Sequence, residues 1–543
     1  VWAEFGIDIS NRNVDTRMLA IQADPDNNSD RDLKTLATKY GMPELKAADD
    51  ELYEWMVEHW VTDCGGKKNA KRTAIEEEGW NTLARTTSPE ETWPDVFTRY
   101  AGLDAIACRR LAEILVPETQ APPELLRVDQ WLHVRTTRQR LAGKRIDTEA
   151  LASLTQEAEV ATSVAKGAAM ELMDGVNPGG SKFQPWLAEH GVDWSTWPGA
   201  LTDKGNPSLE KDNVRLLYDY PLDDTARAVV DQVVEFKKHQ DLWNKTRDLN
   251  KRLVLHADGI SRIHPLVNPI GATTTARMSS SGPNVQNFSK KDPRMRGLFL
   301  PEPGYVFVTA DFAQIELRVV AALAREDRMI EVIKAGGDLH QLTVDLLAEL
   351  GVVITRDTGK MGNFLIVYGG GPKALHEQSG IPLDVSIEVV RGMRQQYPDI
   401  TRYSQYMGME TDAIRTISNR RLPVTRVKGT GDRAGDIRAY ANVNYAVQSA
   451  ARECLVYAWM RLEDGHSRPG VVWLPVHDEL VLQVPEDEVA EVISDVEDSM
   501  TFDFRGVPVE ADAVVLLDEH GVSRWMTSKH AEKYAAEREK VLA

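Results

Sequence analysis

The sequence predicts a multidomain α/β chain, and three observations carry that expectation. At 543 residues it exceeds what one hydrophobic core can organise. Stretches such as TEALASLTQEAEVATSVAKGAAMELM (148–173) repeat small and apolar residues at helical spacing. Two β-rich runs, YVFVTA (305–310) and VVWLPVHDELVLQV (471–484), break the helical pattern, and the first feeds directly into a helical one, QIELRVVAALA.

Composition narrows the class. Apolar and charged fractions of 42% and 27% are those of an ordinary globular protein. No apolar run is long enough to cross a bilayer and no signal peptide opens the chain, so a cytoplasmic location is expected. Cys64, Cys108 and Cys454 lie too far apart for a disulfide framework or a zinc site. The formal charge of −19 argues against a uniformly basic nucleic-acid binder, but local basic clusters occur at 236–252, 289–296 and 415–438. Each of these, taken singly, reads equally well as a solvated helix face or loop.

Along the chain, DLKTLATKY and VFTRYAGLDAIACRRLAEIL are helical runs in a mixed first part, and VPETQAPPELLR (116–127) reads as a proline-rich linker. The segment to about Lys251 is mostly helical, and 252–288 is rich in turn formers. Val1 is not a start methionine, so a fragment or processed chain is expected.

Three constellations carry chemistry. Asp311 falls where a β-branched run ends and a helical pattern begins, a rigid place for a carboxylate, although a plain helix N-cap explains it as well. In TRDTGKMGNFLIVYGGG, Arg356, Lys360, Phe364 and Tyr368 recur every four residues, one broad helix face about 18 Å long. Two cations followed by two rings suit a nucleoside triphosphate; an amphipathic helix burying its rings is the alternative. Asp478, in the turn of the second β run, can meet Asp311 if the two strands are neighbours. Two such carboxylates would repel unless divalent ions lay between them.

Taken together, DFAQIELR, RDTGKMGNFLIVYG and VHDEL resemble motifs A, B and C of the family A DNA polymerases, in that order. ARMSSSGPNVQN (276–287) and NVNYAVQSAAREC (442–454) resemble two further blocks of the same family, and the likeness runs from about Asn177 to Arg524. The resemblance implies a right-hand polymerase fold with an antiparallel palm sheet and helical fingers and thumb. A truncated ribonuclease H-like 3′-5′ exonuclease domain would occupy 1–118, the thumb 119–262, the palm 263–328 and 439–543, and the fingers 329–438.

It also implies roles. Asp311 and Asp478, with the carbonyl of Phe312, would hold two magnesium ions, with manganese able to substitute. Arg356, Lys360 and His340 would contact the triphosphate, Lys360 protonating the departing pyrophosphate. Phe364 and Tyr368 would line the base pocket, and Gln314 and Glu316 the nucleotide site, where Glu316 excludes a ribose 2′-hydroxyl. Arg277, Asn284, Gln286, Asn287, Asn444, Gln448 and His477 would contact the DNA, with Arg277, Asn444, Gln448 and His477 facing the minor groove, whose acceptors are common to all base pairs.

The implied reaction adds deoxynucleotides to a primer 3′-hydroxyl on template DNA, in phage replication and as a monomer, with no membrane partner. Three departures from the family pattern stand out: Phe312 for Tyr, Ala313 for Ser, and Leu365 for a frequent Gly, the last adding bulk to the nucleotide helix. In front, Tyr100 and Asp104 match the Tyr-x-x-x-Asp of the nuclease, whose other acids would lie before Val1, so no proofreading is expected of this chain. The rival readings are a single-subunit RNA polymerase, which the bulk of Glu316 opposes, and a nuclease or DNA-binding protein with an inert polymerase part.

Overall fold

The computed structural model describes residues 16–23, 32–66, 70–85, 94–119, 121–202, 205–210, 213–272, 274–349, 351–367, 370–426 and 436–542. Helices α1 (Glu44–Thr62) and α2 (Asp95–Glu118) pack together over two small clusters, one around Leu45 and Leu111, the other around Leu52 and Met56. The proline-rich stretch that reads as a linker is largely helix. Pro117 sits in the last turn of α2, and Pro123 opens α3 (Pro123–Ala142), where its missing N–H would have had no partner.

A short strand, β1 (Lys144–Arg145), leads into α4 (Thr148–Leu172), and α5 (Asp224–Lys251) returns along it. Both helices start on an aspartate cap: Asp147 accepts from the Ala150 N–H at 3.0 Å and Asp223 from that of Ala226 at 2.7 Å. One end of the pair enters the main core through Leu154 and Leu249. The other carries a separate core of Phe183, Leu187, Val214, Val230 and Val233, with Trp186 and Trp194 against it.

The main sheet is antiparallel. Strand β2 (Tyr305–Phe312) lies between β4 (Glu479–Pro485) and β5 (Ala511–Val515), and β3 (Val472–Val476) forms a hairpin with β4. Its central position buries most of β2, which is why YVFVTA reads as nearly continuous apolar sequence. Helix α6 (Ile315–Ala324) follows β2 and is buried on most of its surface, as its apolar composition requires. Next come α7 (Leu339–Glu349), α8 (Arg356–Val367) and α9 (Leu383–Gln396), and then the long α10 (Ala439–Met460), which sets Val443, Val447, Leu455 and Trp459 into the same core as the sheet. Among the described residues, no helix is long and apolar enough to cross a membrane.

Candidate active site

The register of the sheet brings the two expected acids together. Asp311, next to last in β2, lies directly opposite Glu479, the first residue of β4, and Asp478 is the residue before Glu479. His477 and Asp478 form a two-residue hairpin turn between Val476 and Glu479. His477 has φ +61°, in a position that usually takes glycine. A non-glycine residue held there is strained, and such strain collects at functional sites.

The electrostatics agree with convergence. Burial, then the charges of Asp478 and Glu479, push Asp311 up to about 7, while Lys290 and the Phe312 N–H oppose the shift. Asp311 Oδ1 is buried without a hydrogen-bond partner. A buried acceptor that the protein leaves unpaired, beside a second carboxylate, fits a hard divalent ion. Among the described residues no three His, Cys, Asp or Glu side chains form a metal cage. Two neighbouring carboxylates are a donor set that suits a hard divalent ion, which can take few carboxylates and keep positions for water and substrate phosphate.

Around this pair stand residues to which the sequence reading gave no role. Glu479 is 3% exposed and accepts from Thr309 Oγ1 at 2.5 Å, with Lys290 Nζ at 3.8 Å and Arg296 Nη1 at 3.9 Å. Burial raises the Glu479 pKa, opposed first by the Arg296 charge.

Helix α8 packs against α6, the helix that leaves the Asp311 strand. Arg356 and Lys360 are exposed and Phe364 is half-buried, while Thr358, Gly359, Gly362 and Asn363 are turned inward. Both glycines mark close packing. A Cβ on Gly362 would lie 2.8 Å from Met393 Sδ of α9, and one on Gly359 3.0 Å from the His340 carbonyl of α7. Arg356 Nε donates to Asp338 Oδ2 at 2.7 Å, which holds the Asp338 carboxyl below its ordinary value. Asp338 Oδ1 in turn accepts from the His340 N–H at 2.8 Å.

At three positions singled out from the sequence the side chain is engaged within the protein. His340, expected on the triphosphate, is 3% exposed; its ring meets the Asn363 amide at 3.1 Å, and burial lowers its pKa. In this conformation it braces α7 against α8. Gln286, expected on DNA, is 4% exposed and donates to the Pro475 carbonyl at 2.8 Å, so its amide is spent on the hairpin strand. Leu365, the departure that adds bulk to this helix, is 5% exposed and turned into the core beside Gly370, where any Cβ would strike it. Tyr368 lies outside the described residues.

The other expected positions are open to a ligand to differing degrees. Arg277 forms an ion pair with Glu316, which is 8% exposed. Gln314 is exposed and, at φ +53°, opens α6. The side chain of Phe312 is buried edge-on against Phe502, which leaves its backbone as the part able to serve an ion. Asn284, Asn287 and His477 are exposed; Asn444 and Gln448 lie one turn apart and half-buried on α10, with Asn444 Oδ1 unpartnered.

In the first part of the chain, Tyr100 and Asp104 lie one turn apart on α2. Burial raises both, Tyr100 to about 12.

With this geometry in place, relatives become informative. Residues 196–516 match the model of DNA polymerase family A. The chain is 36% identical over 249 residues to a DNA polymerase of Mycobacterium phage L5, covering 45% of this chain and 39% of that one. It is 27% identical over 435 residues to DNA polymerase I of Chloroflexus aurantiacus, covering 76% of this chain and 45% of the relative. It therefore spans less than half the length of either curated relative. Among solved structures, the POL domain of Pol1 from M. smegmatis, in complex with DNA primer-template and dNTP, matches with a TM-score of 0.68. The identity is 21%, over 92% of this chain and 81% of that one, and the likeness shows a shared fold.

Proposed function

This chain belongs to DNA polymerase family A, and from that premise we propose that it extends a primer 3′-hydroxyl along template DNA, taking deoxynucleoside triphosphates and releasing pyrophosphate. The observation that carries the reading is the meeting of Asp311 and Asp478 at adjoining strand ends, with one Asp311 oxygen buried and unpaired. Two magnesium ions held by these carboxylates and the Phe312 carbonyl would acidify the attacking hydroxyl and offset charge on the leaving group.

The remaining work falls to side chains. Arg356 and Lys360, exposed on one face of α8, bind the triphosphate, and Lys360 donates a proton to the departing oxygen. Phe364, further along the same helix, stacks on the incoming base; Gln314 and Tyr368 complete that site. His340 joins the triphosphate contacts only if α7 and α8 shift on binding. Asn444, Gln448, Arg277 and His477 follow the primer-template minor groove, with Asn284 and Asn287 nearby. In domain terms the β2–β4 sheet is the palm, α4 and α5 the thumb, and α7 to α9 the fingers.

Glu316 favours DNA over RNA synthesis. It is nearly buried and tied to Arg277, so its bulk occupies one fixed place. The test is primer extension with magnesium, comparing the parent with Glu316→Ala. Deoxynucleotide extension by the parent, with ribonucleotide use raised about a hundredfold or more in the variant, supports the reading. A parent that prefers ribonucleotides, or extends nothing, overturns it. The phage relative supports a part in phage DNA replication; we propose that the chain acts as a monomer on primer-template DNA.

A further inference from the structure

Glu479 and Asp311 are paired directly across two antiparallel strands, so their side chains leave the same face of the sheet. Asp512 faces Asp311 from the other neighbouring strand. Like charges so placed repel. Asp512 is exposed and water screens it; Glu479 is buried, and something else must hold it.

Arg296 is the candidate. It is 1% exposed, donates from Nε to the Phe288 carbonyl at 3.3 Å, and lies 4.6 Å from the centre of the Trp525 ring. Its Nη1 and Nη2 have no hydrogen-bond partner, although Nη1 is 3.9 Å from Glu479 Oε2. A buried cation without directed partners is costly unless nearby anions compensate it. The anions whose charge reaches it are Glu479 and Asp311.

We propose that Arg296 is a positioning residue for the carboxylate pair: its fixed charge draws Glu479 to the protein side of the cluster, leaving Asp311 and Asp478 as the acids that face the divalent ions. The proposal rests on the two-carboxylate reading of the site. It explains why an arginine is sunk beneath an anionic site instead of reaching substrate. Thr309 completes the arrangement by holding the other Glu479 oxygen.

The test is a Mn2+ titration of the full chain without DNA, read from the electron paramagnetic resonance of free Mn2+. Thermal melts confirm folding. Arg296→Met removes one positive charge and frees Glu479 to enter the ion site. Mn2+ should bind about threefold or more tightly, while primer extension loses about tenfold in kcat with KM for the nucleotide within about twofold. Arg296→Lys, which keeps the charge, should restore part of the rate. Glu479→Gln leaves Arg296 uncompensated and should weaken Mn2+ binding about threefold; combining it with Arg296→Met should return the affinity to within about twofold of the parent.

Unchanged Mn2+ affinity in a folded Arg296→Met protein overturns the proposal. If that variant does not fold, the double variant decides: affinity as weak as in Glu479→Gln alone makes Glu479 a direct ligand and also overturns it. A parent that binds no Mn2+ overturns both this proposal and the ion-site reading. A chain that shows the Mn2+ shifts but extends no primer sinks the synthesis reading alone; one that extends primers without the shifts sinks this proposal alone.

Discussion

Asp129 and Asp311 are both acids withdrawn from water, yet the chain treats them in opposite ways. Asp129, on α3, is 2% exposed and receives two hydrogen bonds from Arg420, at 2.8 and 2.6 Å. Arg452, on α10, stands 3.6 Å away and donates to the Pro269 carbonyl at 3.2 Å. Every oxygen of Asp129 is matched, and the cluster ties α3 to the core helix of the sheet. Asp311 has acids as neighbours and an unpaired oxygen. A protein that can neutralise one buried acid so fully and leaves another bare is keeping the second for something it must bind.

That contrast is sharpest in the chemistry. Replacing Asp478 by Asn should cut primer extension about a thousandfold or more, an increase of about 4 kcal/mol in the barrier, while a gel-shift measurement shows primer-template binding largely kept. Replacing Asp129 by Asn should leave the rate per folded molecule within about twofold but cost about 3–5 kcal/mol in urea denaturation, because two buried guanidinium groups lose their counter-charge.

The pH dependence separates the two clusters further. With its value raised to about 7 in the folded chain, Asp311 is protonated at no cost below the ordinary carboxylate range, and its contribution to stability is lost as pH rises through about 7. Asp311→Asn, neutral throughout, should therefore stabilise the metal-free chain by about 2–4 kcal/mol at pH 8 and by almost nothing at pH 4, while abolishing synthesis. Thermal melts across that range, in the presence of a chelator, provide the check; a variant less stable than the parent at pH 8 would contradict the contrast. The smallest effect expected is at His477. His477→Gly should relieve the left-handed backbone and raise stability by about 1 kcal/mol, again by thermal melt, with a loss of extension showing what the strained side chain is for.

Much of this was legible in the sequence, for reasons that can be located. Asp311 and Asp478 stand out because each interrupts a β run, and a two-residue turn between apolar strands fixes where the second must sit. The face of α8 is legible because a four-residue period shows directly on a helix. What escaped depends on partners distant in the chain. Nothing in MRGLFL tells that Arg296 lies under Glu479, since the nearness comes from tertiary packing of segments more than a hundred and eighty residues apart. Gln286 and His340 were placed by motif likeness, which gives position in the chain but not whether the side chain is spent internally. Nothing in the sequence around Gly359 and Gly362 signals the close approach of α7 and α9 that these glycines permit. That the bulk of Leu365 turns into the core is equally a matter of tertiary packing.

The most direct test of the central claim is a crystal of the chain with primer-template DNA, a non-hydrolysable incoming nucleotide and Mn2+, with anomalous scattering recorded to locate the ions. Anomalous density between the carboxylates of Asp311 and Asp478 is the predicted result. Ions bound elsewhere, or a site between those carboxylates that stays empty while the nucleotide is bound, would contradict it.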